Sequence, residues 1–171
     1  MTINEIVATL RSGVYAVPTA IPVADGTPMV FACSLTASNE SPSSIAKLVP
    51  SCPADLVAWW SQVSLARLFE DTTYGQWGLV LMDPQQACSA SLALQKSRPN
   101  DFAPGDLVIG RFLGDSDLLI VRCDENGPDF GRIVAALPLD DRCKWPTIAN
   151  SFSAFLTQYM RAHGDKYWCG V

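Results

Sequence analysis

Histidine is almost missing from this sequence: His163 is the only one in 171 residues. That scarcity excludes zinc catalysis built on several histidines. It also forces any Ser-His or Cys-His nucleophilic pair to use one side chain. The position of His163 argues for a structural role. A basic residue in the last turn of an amphipathic segment, just before Gly164, reads as a helix stop with the glycine at C′. A Gly-x-Ser-x-Gly elbow is lacking too; Gly114-Asp-Ser-Asp117 departs from it at the final glycine and falls in a hairpin turn. Gly105, Gly110 and Gly114 are spread along a strand and its ends, so they form no glycine-rich phosphate loop.

Other absences narrow the class further. The six cysteines, at 33, 52, 88, 123, 143 and 169, include no Cys-x-x-Cys pair, which disfavours a zinc site. Cys88 falls in an expected helix and Cys123 in an expected strand, where a thiol acts as a small apolar residue. The expectation is reduced, mostly structural thiols in a cytoplasmic protein. Apolar runs are strand-length, such as 118–121, so no transmembrane helix is expected. The first residues lack the basic region and long apolar run of a secretory signal. A calcium loop starting at Asp124 fails in register, with Asp129 where glycine is needed and Ala135 in place of the final glutamate.

What the chain does have is a globular composition, 49% hydrophobic and 17% charged, at a length suited to one main core. Ile3, Ile6, Val7 and Leu10 share one face of a short N-terminal helix. Residues 14–35 suggest a hairpin about an Asp25-Gly26 turn, although Pro18, Pro22 and Pro28 restrict it to edge strands or irregular structure. The polar stretch 36–44 is the best candidate boundary, setting an N-terminal extension (1–40) beside a main domain (41–171). A short helix is expected over 45–48 and another from Pro53, with Leu56, Trp59, Trp60 and Val63 on one face. Residues 65–69 and 78–82 read as strands around a turn at 70–75. Asp83-Pro84 then opens a helix that runs to about Lys96. Strands at 107–113 and 118–123 are apolar on both faces, as central strands are, with 114–117 as their turn. A third strand is expected at 132–137. The final helix is expected from near Pro146, with Ile148, Phe152, Phe155, Leu156 and Tyr159 inward and Asn150, Thr157 and Arg161 outward. Strands interleaved irregularly with helices make the class α+β.

Charge is unevenly placed. Residues 101–141 hold nine acids against three arginines, a net −6 that the remainder of the chain, at +1, brings to −5. Nucleic acid is a poor partner for such a surface, whereas a basic protein suits it. The acidic pairs Glu70/Asp71, Asp115/Asp117 and Asp140/Asp141 all fall in turns, where Asp is favoured locally. A carboxylate-dependent enzyme would need Asp115, Asp117 and Asp140 to converge in one pocket. Trp59, Phe152 and Phe155 read as core, while Tyr74 and Trp77 sit in or beside a glycine-bearing turn next to Glu70 and Asp71. Aromatics so placed serve either as interface anchors or in hairpin packing. The candidate contact residues are therefore Glu70, Asp71, Tyr74, Trp77, Asp115, Asp117, Asp124, Glu125 and Asp129.

From about residue 45 to 156 the chain resembles the SUKH superfamily, which includes a yeast cell-wall synthesis regulator and many bacterial immunity proteins. Cys-Pro-Ala-Asp-Leu-Val-Ala-Trp-Trp (52–60) is similar to the family's Leu-Pro-x-Asp-Leu helix. Leu-Val-Ile-Gly followed by Gly-Asp-Ser-Asp (107–117) is similar to its hallmark strand and turn. Gly-Arg-Ile-Val (131–134) and Ile-Ala-Asn-Ser-Phe-Ser-Ala-Phe-Leu (148–156) resemble its next strand and terminal helix. The chain departs from the family after the Trp helix, with Val63-Ser-Leu where Asn-Gly is common, and its first 40 residues have no counterpart. The resemblance implies an α+β domain with a mixed, mainly antiparallel sheet flanked by helices. It further implies, for bacterial members, neutralisation of a co-encoded toxin by direct binding, with no catalytic residue, cofactor or metal. The alternatives left open are a regulatory scaffold for a signalling partner and the carboxylate enzyme. The N-terminal extension could be a lid or a dimerisation element, so a homodimer is also open.

Overall fold

The computed structural model describes residues 1–22 and 28–169. The elements are α1 (Ile3–Ser12), β1 (Thr19–Pro22), β2 (Pro28–Ala37), α2 (Pro42–Leu48), α3 (Ala54–Trp60), β3 (Val63–Asp71) and β4 (Leu79–Leu81). They continue with α4 (Pro84–Ser97), β5 (Asp106–Phe112), β6 (Leu118–Arg122), β7 (Ile133–Ala136), β8 (Thr147–Ala149) and α5 (Phe152–Arg161). The eight strands form one sheet whose spatial order is the chain order, and every neighbouring pair is antiparallel. The molecule is a single α+β domain.

Helix starts follow local chemistry. Thr2 and Glu5 form a capping box that opens α1, which buries Ile3, Ile6, Val7 and Leu10. The Asp83 carboxylate accepts the Gln86 N–H at 2.8 Å and opens α4. That helix also finishes an edge. β4 pairs with β5 only from Leu79↔Phe112 to Leu81↔Gly110, and beyond that limit the Val108 N–H donates to the Ser91 hydroxyl of α4 at 2.8 Å.

Apolar side chains pack in two layers. Residues of α1, α3 and α5 join Leu107, Ile109, Leu119, Val121, Ile133 and Ala135 in the main core. The alternate residues Val108, Ile120, Val134 and Ala136 meet Phe102 and Trp145 from loops on the other face. β5, β6 and β7 are thus covered on both sides, as their continuous apolar sequence required. β1 and β2 form a hairpin from Thr19↔Phe31 to Pro22↔Pro28; its Asp25-Gly26 turn lies outside the described residues. The polar stretch 36–44 begins inside β2, which pairs with β3, and α1 lies in the same core as α3 and α5. α1, β1 and β2 therefore share sheet or core with the rest.

Several boundaries differ from the sequence reading. The final helix starts at Phe152, not near Pro146, because the Pro146 carbonyl accepts the Ala135 N–H and 147–149 adds to β7 as a strand. The true start signal is Ser151, whose side chain accepts the Ala154 N–H at 3.1 Å. Thr157, expected outward, is buried, with its hydroxyl bonded to the Ser153 carbonyl at 2.8 Å. Val63 leaves the α3 face and begins β3. At the end of α5 the left-handed C′ position is taken by His163 itself (φ 51), followed by Gly164 (φ 84). Their N–H groups bond to Met160 and Tyr159 in the pattern of a Schellman motif.

One irregularity organises this end of the molecule. Between Ala32 and Ser34 the β2–β3 register shifts, so Leu68 and Phe69 together face Cys33. Phe69 has φ 51, donates its N–H to the Cys33 sulfur at 3.2 Å, and is fully buried. A bulge with its second residue left-handed turns both side chains inward. Gly164 lies directly against Phe69: a Cβ on Gly164 would fall 2.3 Å from the Phe69 Cβ. Gly164→Ala is expected to cost about 2–4 kcal/mol, combining overpacking with the left-handed penalty. Gly75→Ala, also at positive φ but with open space around it, is expected to cost only about 1 kcal/mol. Urea unfolding of both variants checks this, and equal losses would show that the Phe69 contact is not tight.

Candidate binding surface

The turn after β3 is built by Asp71. Its carboxylate, 3% exposed, accepts the N–H groups of Thr73 at 2.9 Å and Tyr74 at 3.1 Å. Its own N–H donates to the Trp77 carbonyl, which closes the loop. Asp71 is thereby committed to holding the turn, in the manner of an Asx motif. Tyr74 is left at the tip, 78% exposed. Trp77 turns inward and donates its indole N–H to the Gly164 carbonyl at 3.1 Å. Glu70 pairs with Arg67 at 2.5 Å.

The β5–β6 turn lies beside this loop. Leu113 donates its N–H to the Gly78 carbonyl, and a Cβ on Gly114 (φ +87) would fall 2.0 Å from the Gln76 carbonyl oxygen. Only glycine permits that approach. Asp115 accepts the Asp117 N–H at 3.0 Å, and both carboxylates hold the Lys166 ammonium, Asp117 at 2.6 Å. Burial would lower the Lys166 pKa, but bonds and charge from Asp115 and Asp117 outweigh it and raise the value above that of an ordinary lysine. The tail is docked: the Tyr167 hydroxyl donates to the Ile148 carbonyl at 2.9 Å, and Trp168 packs on Phe112 and Phe155.

The third acidic loop is elsewhere. β6 runs between the two turns, so Asp124, Glu125 and Asp129 lie at its far end. Asp124 accepts the Asn126 N–H at 3.1 Å, Glu125 is exposed, and Asp129 reaches Arg122 at 3.4 Å. The structure therefore gathers Glu70, Asp71, Tyr74, Trp77, Asp115 and Asp117 at one end and leaves the other three apart. Asp115 and Asp117 meet around Lys166, and Asp140 is not among the residues lining the cleft beside Asp115.

Sequence reading missed two charged groups that matter. Lys166, in the tail, neutralises part of the acidic turn. Asp106, 3% exposed, is bound by Arg122 and Arg142 and accepts the Ala103 N–H at 2.8 Å. Arg142 also donates to the Asp101 carbonyl at 2.6 Å, and Asp101 pairs with Arg98 at 2.7 Å. Burial alone would raise the Asp106 pKa; Arg142, the Ala103 N–H and Arg122 together hold it below the usual carboxylate range. A cleft of about 340 Å³ lies beside it, with Cys88, Cys123 and Leu92 in its wall. Burial pushes the Cys123 thiol up to about 12 and raises that of Cys88. Both stay protonated at neutral pH, which argues against a nucleophilic role.

Among the described residues, no group of three or more His, Cys, Asp or Glu is arranged to hold a metal ion. No described helix is long and apolar enough to cross a membrane. No protein-family model matches the chain, and no curated protein does so either.

The Asp106 cluster gives a signed pH test. Its folded pKa lies below the unfolded value of about 4, so its stabilisation is complete above that pH. The stabilisation is lost as pH falls through the folded value. Asp106→Asn, which leaves two arginines facing a neutral amide, is expected to cost about 3 kcal/mol at pH 7 and to flatten the loss between pH 7 and pH 3. Urea midpoints at the two pH values measure both effects, and an unchanged acid slope would remove Asp106 from the account.

Proposed function

We propose that this chain is a non-catalytic, protein-binding domain of SUKH type, an immunity protein that neutralises a cognate bacterial toxin by direct contact. Tyr74 carries the reading. It is a large aromatic side chain held out in solvent by a turn whose backbone is fixed by Asp71. Exposed aromatics on rigid turns are the residue class that anchors protein interfaces. The acids around it favour a basic partner, and the compartment that fits such a role is the cytoplasm. The engagement of the nearby titratable groups points the same way: Asp71 holds its turn, Asp115 and Asp117 hold Lys166, and His163 lies 2.6 Å from the Tyr15 hydroxyl. Each has a structural partner, which supports binding over acid–base chemistry.

The partner test is titration calorimetry against the C-terminal domain of a secreted protein encoded beside this one, with toxin activity followed in parallel. Stoichiometric binding and loss of toxicity are expected; absence of binding would sink the immunity reading. Tyr74→Ala is expected to weaken the complex by about 2 kcal/mol, roughly thirtyfold, while leaving the melting temperature within error. Charge reversal at Asp115 is a poorer probe, because it also repels Lys166.

A further inference from the structure

Beyond Gly164 the chain is held by side chains alone. Among the described residues, the main chain of 165–169 bonds to nothing past Ala162: the N–H groups of Asp165, Tyr167 and Cys169 donate to the Ala162, Asp165 and Lys166 carbonyls, and that of Lys166 to the Asp165 carboxylate. The Lys166 ammonium sits between Asp115 and Asp117, 4.8 Å from the Phe112 ring centre. The Tyr167 hydroxyl donates to the Ile148 carbonyl, and the Trp168 ring packs on Phe112, Phe155 and Tyr167. The last of these ties is flawed. The Trp168 indole N–H is buried, and no described residue accepts from it. Water would accept it in an undocked tail, so docking carries the cost of an unmade bond. Gly164, just before the tail, is held far better. Its N–H donates to the Tyr159 carbonyl, its own carbonyl accepts the Trp77 indole N–H, and it lies against Phe69.

We propose that residues 165–169 are a strap that lifts from the body as one unit about Gly164 while the sheet and α5 stay folded. A segment with no main-chain bond to the sheet, and with one of its side-chain ties penalised, belongs to the low end of local stabilities. What lifting exposes gives the strap its role. Phe112 and Phe155, 3% and 0% exposed beneath it, lose their cover. The Ile148 carbonyl of the edge strand β8 loses its donor, and Asp115 and Asp117 lose their cation. The closed strap is thus an autoinhibitory contact: it shields β8 from strand addition and neutralises part of the acidic hairpin. The inference does not depend on the identity of any partner.

Hydrogen exchange of the indole N–H groups, followed by NMR on the full chain, reads three places at once. Trp60 donates to the Met82 carbonyl and reports the core, Trp77 reports the Gly164 hinge, and Trp168 reports the strap. Trp168 is expected to exchange roughly a hundredfold or more faster than Trp60, faster than Trp77, and at a rate that low urea leaves unchanged. Lys166→Gln is expected to speed Trp168 exchange about fivefold. Tyr167→Phe, which keeps the ring and removes only the hydroxyl, is expected to speed it by about as much. Exchange of Trp168 at the Trp60 or Trp77 rate would overturn the strap. A rate unmoved by either substitution would overturn it as well, because the side chains would then move separately. The buried N–H is tested by putting benzothiophene in place of the Trp168 indole, which keeps the ring shape and removes the donor. Trypsin cleavage after Lys166, which requires the strap to be open, is expected to slow about tenfold. Equal or faster cleavage overturns the N–H as the weak point of the strap.

Discussion

Phe69 takes a left-handed backbone near the end of β3, with its N–H on a thiol and its ring between Tyr15 and Tyr159. A non-glycine residue in that conformation costs about 1–2 kcal/mol, and the bulge is kept because it turns both Leu68 and Phe69 into the core. The contact it creates admits only glycine at 164, which sets the path of the chain leaving α5. Gly164 in turn offers its carbonyl to Trp77, fixing the base of the Tyr74 turn. Two residues later, Lys166 reaches Asp115 and Asp117. Turn, tail and acidic hairpin are thus linked through one strained residue.

The same linkage changes the meaning of the charge count. The −6 of residues 101–141 counts acids by position in the chain, yet several of their partners lie outside that segment: Arg98, Arg142 and Lys166. Asp106 is sealed inside an arginine pair rather than presented. An exposed ion pair contributes little to stability, but Asp106 is buried, and removing its carboxylate would strand two guanidinium groups. What remains exposed is a smaller and more shaped negative surface than the sequence suggests, with an aromatic at its tip.

Fold class, the amphipathic faces of α1 and α3, and the doubly covered strands β5 and β6 were legible because each rests on a local apolar pattern, periodic in the helices and unbroken in the strands. The start of α5 was not, since Thr147, Ile148 and Ala149 satisfy a helical face as well as a strand and only pairing with β7 decides between them. The bulge was invisible for a related reason: one extra residue at Phe69 is specified by a contact with Gly164, 95 positions later in the chain. At the candidate site, Tyr74 and the acidic turns could be read from turn chemistry. Their division between two ends of β6, and the intrusion of Lys166, are tertiary facts with no local signal.

A sheet of eight strands in chain order has two edges, and how they are finished bears on how a partner can bind. β8 is only three residues long, and the Tyr167 hydroxyl occupies the Ile148 carbonyl. β1 is four residues long and ends at Pro22, which has no N–H to offer. Inside the sheet, where β4 is too short to cover β5, Ser91 of α4 satisfies the freed N–H. Short strands, proline and covering side chains are the means by which edges resist strand addition. A partner of the proposed kind is then left the loop end, where the backbone is already closed on itself and recognition falls to side chains. That is the circumstance in which one exposed tyrosine can decide affinity.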